Sequence, residues 1–428
     1  MQPFGQLSLA PPDGIDGRNV AQQLTVGMHV PHTTFAVLPY HGIVPSTVEL
    51  LRSLVAFATE SRTPNRDLLT FAVEHTEPEG GRAQWIEGPE GRANLLISFG
   101  PAQPGGLLLA AHTDVVPAGS GWATPPYELA TIEDRLYGRG TADMKGFLAA
   151  TLHVLAGMDG WTAPLHLALS FDEEVGCAGM PSMLQHLSAA TQVRPDLVVV
   201  GEPTMMIPRH RHLGKLAYEL TLHGAAGHSS RSPEIPSTIT SAARIALALD
   251  NLQSSYRSAD PMAPHEITVN VGTIAGGTAL NVIAERCTLS FELRHAPERD
   301  PDHALAPVLK VIHHEREVLA DIGSGIDMVE VTRYPGLATA TDHPLVKVVE
   351  RMADGGPCQA IGYGTEGGLY ASSLGVPVVI CGPGDIAVAH RPDEYVSLEQ
   401  LDRCERFVRS LLEHLCIESG AGPEMKRP

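Results

Sequence analysis

The chain carries too little positive charge for a nucleic-acid binder. Its 30 Lys and Arg stand against 49 Asp and Glu, a formal net charge of −19, whereas nucleic acid and anionic membrane surfaces both attract basic proteins. Ordinary acidic solubility accounts for most of that charge, and bound divalent cations would offset part of it. A long apolar run is also missing: no segment approaches the ~18 uninterrupted apolar residues of a membrane helix. The six cysteines (Cys177, Cys287, Cys358, Cys381, Cys404 and Cys416) include no CxxC pair, a pattern of reduced thiols in a cytoplasmic protein rather than of a disulfide framework. No basic stretch followed by an apolar one opens the chain, so no signal peptide is expected.

What is present suits a large enzyme. Apolar residues make up 43% of 428, enough for a substantial core, and the length implies two or more domains of ~100–200 residues each. Residues 1–42, rich in Pro, Gly and polar residues, read as a poorly ordered extension. Ser46-Thr47-Val48-Glu49 is a capping-box signature ahead of a helix to about Ala58. Beyond it, strand and helix patterns alternate: a strand at 94–100, a helix after Gly146, and another between Gly179 and Ala190. From Gly214 the pattern changes to strand (216–222), helix (238–252), strand (266–274), strand (287–294), helix (302–319) and strand (328–331). That βαββαβ order suits an inserted ferredoxin-like domain. A helix near His343, a strand at 376–380 and a long helix from Ser397 to about Cys416 close the chain. The expected organisation is a catalytic domain in two parts, 43–211 and 333–428, around an inserted domain at 212–332.

The chemistry sits where the apolar runs end. Leu107–Ala111 leads into His112-Thr113-Asp114, Leu165–Phe171 into Asp172-Glu173-Glu174, and Leu197–Val200 into Gly201-Glu202-Pro203. Val376–Ile380 ends shortly before His390. Such runs read as buried strands of a parallel sheet, and ligands of open α/β sheets collect beyond the carboxyl ends of the strands. Imidazole and carboxylate groups delivered to one edge of one sheet make a metal site, with room for two ions.

Six strings together, AAHTDVVP, YGRGTADMKG, SFDEEVG, GEPT, GAAGHSS and GPGDIAVAHRPDEY, resemble the di-zinc amidohydrolases that include acetylornithine deacetylase, succinyl-diaminopimelate desuccinylase, aminoacylases and a glutamate-releasing carboxypeptidase. The resemblance runs in order from about Ser46 onward, and GTADMKG, GEPT and the AHRPDEY ending look most like the acetylornithine deacetylase branch. It implies a mostly parallel α/β catalytic domain with an inserted lid and dimerisation domain. It also implies hydrolysis of the amide bond of an N-acyl amino acid, foremost N-acetyl-L-ornithine to L-ornithine and acetate in arginine biosynthesis. Alternatives are another N-acyl amino acid, a dipeptidase or carboxypeptidase activity, or a scaffold that has lost catalysis; no ligand-type residue is replaced, which argues against the last.

By the same resemblance Asp143 bridges two divalent ions, Zn²⁺ foremost with Co²⁺ or Mn²⁺ as alternatives. His112 and Glu202 complete one ion, Glu174 and His390 the other. Adjacent Glu173 and Glu174 cannot point the same way, so one is free as a base; the family makes it Glu173. Asp114, two residues after His112, is placed to accept the imidazole N–H and fix its tautomer, and Asp172 reads as a structural carboxylate. Resemblance further implies that His228 is a lid histidine reaching a partner's site in a homodimer, and that Asn281 and Arg294 contact the substrate carboxylate. Thr365 and Glu366 fall in a cleft-lining segment, with Glu366 expected to face the ornithine ammonium; the following Gly367-Gly368 departs from the family pattern. A cis peptide bond is implied between Asp143 and Met144.

Overall fold

Four consecutive apolar strands, Leu165–Ser170, Leu107–His112, Leu197–Pro203 and Val378–Gly382, lie side by side and parallel at the centre of a nine-stranded sheet. The computed structural model describes residues 44–190, 192–256, 266–320 and 323–417; the expected extension over 1–42 lies outside them. Strands Ala93–Phe99 and Arg82–Glu87 add antiparallel at one side. Short strands Arg209–His212, Leu337–Ala338 and Gln359–Ala360 finish the other.

Alternation along the strands divides the core. Leu107, Leu109 and Ala111 face one layer of helices, those at Thr47–Ala56, Gly146–Leu155, Pro344–Ala353 and Leu398–Leu412. Leu108 and Ala110 face the other, the helices Met180–Ala189 and Gly367–Leu374. Sheets covered on both faces need strands that are apolar throughout, which is why these runs were legible in the sequence. The helix after Asp143 lies tightly on the sheet: a Cβ at Gly201 would come within 2.1 Å of the Phe147 ring.

The Ser46 capping box forms as expected, with the Ser46 side chain accepting the Glu49 N–H and Glu49 accepting the Ser46 N–H, ahead of Thr47–Ala56. The strand expected from Val376 begins instead at Val378. Pro377 has no N–H for the ladder, although its carbonyl still accepts from Val198.

Residues 214–334 form a second, antiparallel sheet in the order Ile267–Gly276, Arg286–His295, Gly214–His223 and Gly325–Tyr334. Helices Thr238–Ser255 and Pro301–Ala320 cover one face, and Leu216, Leu220, Leu222, Ile245, Leu289 and Ile312 pack between. This is the βαββαβ order read from the sequence. The outer strands leave Ile274, Val329 and Val331 exposed.

Candidate active site

The carboxyl ends of the four parallel strands open into a cleft of about 390 Å³, roofed by the second sheet through Lys215, Arg294 and Tyr334. Asp143 occupies its floor on the irregular turn Thr141–Lys145, ahead of the helix Gly146–Leu155, and the Asp143–Met144 bond is cis. One Asp143 oxygen lies 3.0 Å from His112 Nε2 and the other 3.2 Å from His390 Nε2. His112 Nε2 is also 3.9 Å from Glu202, and His390 Nε2 is 2.9 Å from Glu174. A single carboxylate therefore stands between two imidazoles, each with a second carboxylate beside it.

Ligand-type atoms of His112, Asp143 and Glu174 all lie within 4.8 Å of one another, as do those of His112, Glu173 and Glu202. All five expected metal residues converge, and the expected base Glu173 lies equally within ligand reach, so distances alone do not divide the carboxylates between ions and base.

The electrostatics favour cations here. Burial, then the charge of Asp143, pushes the Glu202 carboxyl well up; burial, then Glu174 and Glu366, does the same to Glu173 against the pull of His112. Burial works against the His112 imidazolium, but the nearby carboxylates of Asp114, Asp143 and Glu202 prevail and raise it. His390 is pushed up to about 10 by its hydrogen bonds to Asp143 and Glu174. So many buried carboxylates are stable together only with positive charge among them, as protons or as metal ions. The N/O donor set fits zinc-type ions, with cobalt and manganese also compatible.

Asp114 departs from expectation in one respect. His112 Nδ1–H donates to the Asp114 carbonyl oxygen at 2.9 Å, while the carboxylate is 3.6 Å away. That carboxylate instead accepts the Glu173 and Glu174 N–H groups at 3.0 and 3.3 Å and the Ser61 hydroxyl at 2.8 Å. It orients the imidazole through the main chain and the Glu173-Glu174 turn through its side chain. Asp172 forms a buried ion pair with Arg92 and accepts the Arg62 N–H, the structural part expected of it.

Glu366 requires a correction. It does not line the cleft: it is 1% exposed and accepts the Ser170 hydroxyl at 2.5 Å. Burial raises its carboxyl to about 7 against that hydrogen bond. Gly367 and Gly368, both buried, start a helix immediately after it, and a Cβ at Gly368 would meet the Pro335 carbonyl at 2.2 Å, so the segment is drawn inward. Thr365 is buried too, its hydroxyl accepting the Gly367 N–H.

Arg294 lines the cleft and donates from Nε to Glu292. His228 and Asn281 do not line it. They share an exposed corner where strand residues Gly227 and His228 pair with Val282 and Ile283, and the Asn281 carbonyl accepts the Ser229 N–H. His228 Nδ1 lies 2.9 Å from the Ser230 hydroxyl.

Sequence reasoning missed Glu394. It is 1% exposed; one oxygen accepts the Ala142 and Asp143 N–H groups at 3.0 and 3.1 Å, the other the Gly140 N–H and the Arg139 guanidinium at 3.0 and 2.6 Å. This carboxylate holds the turn that carries Asp143. The available signal was its place in the AHRPDEY string, together with an arginine in YGRG needing a buried partner. Tyr363, whose hydroxyl donates to the Pro203 carbonyl at the cleft wall, carried no such signal.

The family model described as peptidase family M20/M25/M40 matches residues 108–414. The chain belongs to that family. It is 32% identical over 398 residues to an acetylornithine deacetylase of Proteus mirabilis, covering 88% of this chain and 99% of that one. To an acetylornithine deacetylase of Myxococcus xanthus it is 33% identical over 384 residues, covering 87% and 98%. Among solved structures, an M20 family metallo-carboxypeptidase from Sulfolobus solfataricus superposes with a TM-score of 0.72 at 17% identity, over 86% of this chain and 99% of that one, a likeness of fold. Like its M20 relatives, the protein is an amide-bond hydrolase. Among the described residues no helix is long and apolar enough to cross a membrane.

Proposed function

We propose that the protein hydrolyses the amide bond of N-acyl amino acids with two divalent metal ions, N-acetyl-L-ornithine being the first substrate to test. The observation that carries this reading is Asp143 set between His112 and His390, with Glu174 and Glu202 beside them. His112, Asp143 and Glu202 would hold one ion and Asp143, Glu174 and His390 the other. Two such ions supply Lewis acidity, polarising an amide carbonyl and acidifying water.

Glu173 serves as the general base. It takes a proton from the attacking water and delivers it to the leaving nitrogen, a role suited to a carboxyl whose affinity for protons is raised by burial. Asp114 fixes Glu173 through its N–H and His112 through the main chain. Arg294 meets the substrate from the roof of the cleft, and Asn281, at the exposed corner with His228, contributes with it to the partner's site. His228 completes the site of a two-fold partner, a reading supported by its exposure and its absence from the cleft of its own chain.

A second reading, a deacylase for a different N-acyl amino acid, is favoured by the burial of Glu366, which leaves the ornithine ammonium without the carboxylate expected to meet it. The test is purified protein with added Zn²⁺, Co²⁺ or Mn²⁺ against N-acetyl, N-succinyl and dipeptide substrates. Preference for N-acetyl-L-ornithine over N-acetyl-L-methionine supports the first reading and the reverse supports the second. Absence of hydrolysis across the panel overturns both.

A further inference from the structure

Besides His390, one lysine and two arginines line the cleft among the described residues, and two of these three are already engaged. Lys215 Nζ lies 2.8 Å from Glu292 and Arg294 Nε 3.1 Å from the same carboxylate. The third, Arg62, is exposed and its guanidinium makes no hydrogen bond or ion pair among the described residues. It shares the cleft wall with Glu173, Glu174 and His390.

The backbone that presents Arg62 is held at several points. Ser61 donates its N–H to the Val115 carbonyl and its hydroxyl to Asp114. The Arg62 N–H donates to Asp172 at 2.6 Å, and the Thr63 N–H closes the turn onto the Glu60 carbonyl. Arg62 itself has φ +67°, a left-handed conformation unfavourable for a residue with a Cβ and retained where surrounding contacts impose it. Asp172 is not the side chain's partner: its two oxygens accept the Arg62 N–H and the Arg92 guanidinium. The turn is thus fixed while the guanidinium at its tip is free.

We propose that Arg62 is a substrate-binding residue: its guanidinium receives the free carboxylate of the N-acyl amino acid. The planar fork of an arginine binds a carboxylate through two parallel N–H···O bonds, and Arg62 can do so without releasing an internal partner. Asp172, which holds the Arg62 main chain, directly precedes Glu173 in sequence. Carboxylate anchor and base are therefore tied to one turn, which sets the distance between the substrate's carboxylate and its scissile amide. Substrates in which the carboxylate is replaced by a carboxamide lose this anchor. The proposal rests on the N-acyl amino acid reading of the cleft.

The test compares metal-loaded wild type, Arg62→Ala and Arg62→Lys on the best N-acetyl amino acid of the panel and on its carboxamide. For the acid, Arg62→Ala is expected to lower kcat/KM by ~10–100-fold, the scale of a lost charge-assisted contact, through KM with kcat little changed. Carboxamide kinetics are expected to stay the same, so the wild-type preference for the acid collapses, and Arg62→Lys recovers part of it. An equal loss on acid and carboxamide, or an unchanged KM for the acid, overturns the proposal. Calorimetry keeps it separate from the functional reading. N-acetyl amino acid and carboxamide are titrated into metal-loaded Glu173→Ala, with and without Arg62→Ala. If wild type hydrolyses nothing, the functional reading fails. Carboxylate-dependent binding that disappears with Arg62 still supports the anchor, and binding indifferent to carboxylate or to Arg62 overturns it.

Discussion

His112 and His228 stand in opposite surroundings. At the strand ends of the parallel sheet, His112 is 1% exposed, and Asp143 takes its partners His112, His390 and, through its N–H, Glu394 from distant segments. On the antiparallel sheet, His228 and Asn281 stand at an exposed corner whose hydrogen bonds join neighbouring turns. Beside that corner Leu280 is fully exposed. The groups of the first region come from one chain, and their geometry is imposed by burial and by the cost of leaving buried charge unpaired. The second has the chemistry of a site without the surroundings of one, as expected of a surface whose partner groups come from another molecule.

The largest effect expected within the buried region is that of Glu173→Ala, a loss in turnover of roughly 10²–10⁴-fold or more, the range for a positioned general base. Metal analysis should find both ions retained. Metal loss in Glu173→Ala but not in Glu174→Ala would reverse their roles, which the distances alone leave exchangeable.

Glu394→Ala sharpens the same side. It strands the buried Arg139 guanidinium and the N–H groups of Gly140, Ala142 and Asp143, and removing one partner of a buried pair costs ~3–5 kcal/mol. A lowered urea midpoint together with weakened metal binding is the expected result. Weakened metal binding at unchanged stability would mean that Glu394 orients Asp143 without holding the fold.

On the exposed side, His228→Ala is expected to reduce turnover with little change in stability, by up to ~10²–10³-fold if the imidazole stabilises the oxyanion. Under the proposed two-fold pairing, mixing it with Glu173→Ala should restore activity, since a mixed dimer would hold one site with both residues intact. Subunit exchange without recovery would break the comparison, placing His228 over its own chain's cleft or outside catalysis altogether.

The smallest effect concerns His212, on the short strand Arg209–His212 leading into the second sheet. Burial lowers its imidazole to about 4, against a hydrogen bond to the Leu213 carbonyl. The unfolded chain takes up a proton near pH 6.5 that the folded protein refuses until about pH 4. Stability therefore falls as pH drops through that window, by up to ~1.4 kcal/mol per pH unit from this group, and levels off below it. Urea midpoints for His212→Gln should show a shallower slope between pH 6.5 and 4 than wild type. An unchanged slope would show that the ring is not the titrating group.

Much of the fold was legible for physical reasons. Strands buried on both faces must be apolar throughout, so Leu107–His112 and Leu197–Pro203 declared themselves. The alternation of Leu216, Tyr218, Leu220 and Leu222 marked a sheet covered on one face. Since ligand-type residues at the carboxyl ends of parallel strands must meet, the convergence of His112, Glu202 and the Asp172–Glu174 segment followed from local pattern and topology.

What local pattern does not carry is the identity of partners far apart in the chain. Glu394 serves Asp143 from 251 residues away, and nothing near either residue specifies the other. Glu366 and Arg62 show the same gap. A carboxylate in a loop string reads as cleft-facing, yet packing of the Gly367-Gly368 helix against Pro335 and Gly336 draws it onto Ser170. Arg62 drew no reading from the sequence, and Asp172 and Asp114 fix its turn beside the base. Residue type and spacing determined which groups this protein has for hydrolysis and at which strand ends they stand. Only the tertiary structure decided which of them are buried, which are paired and which remain free for a substrate, because burial and pairing depend on segments that meet only when the chain is folded.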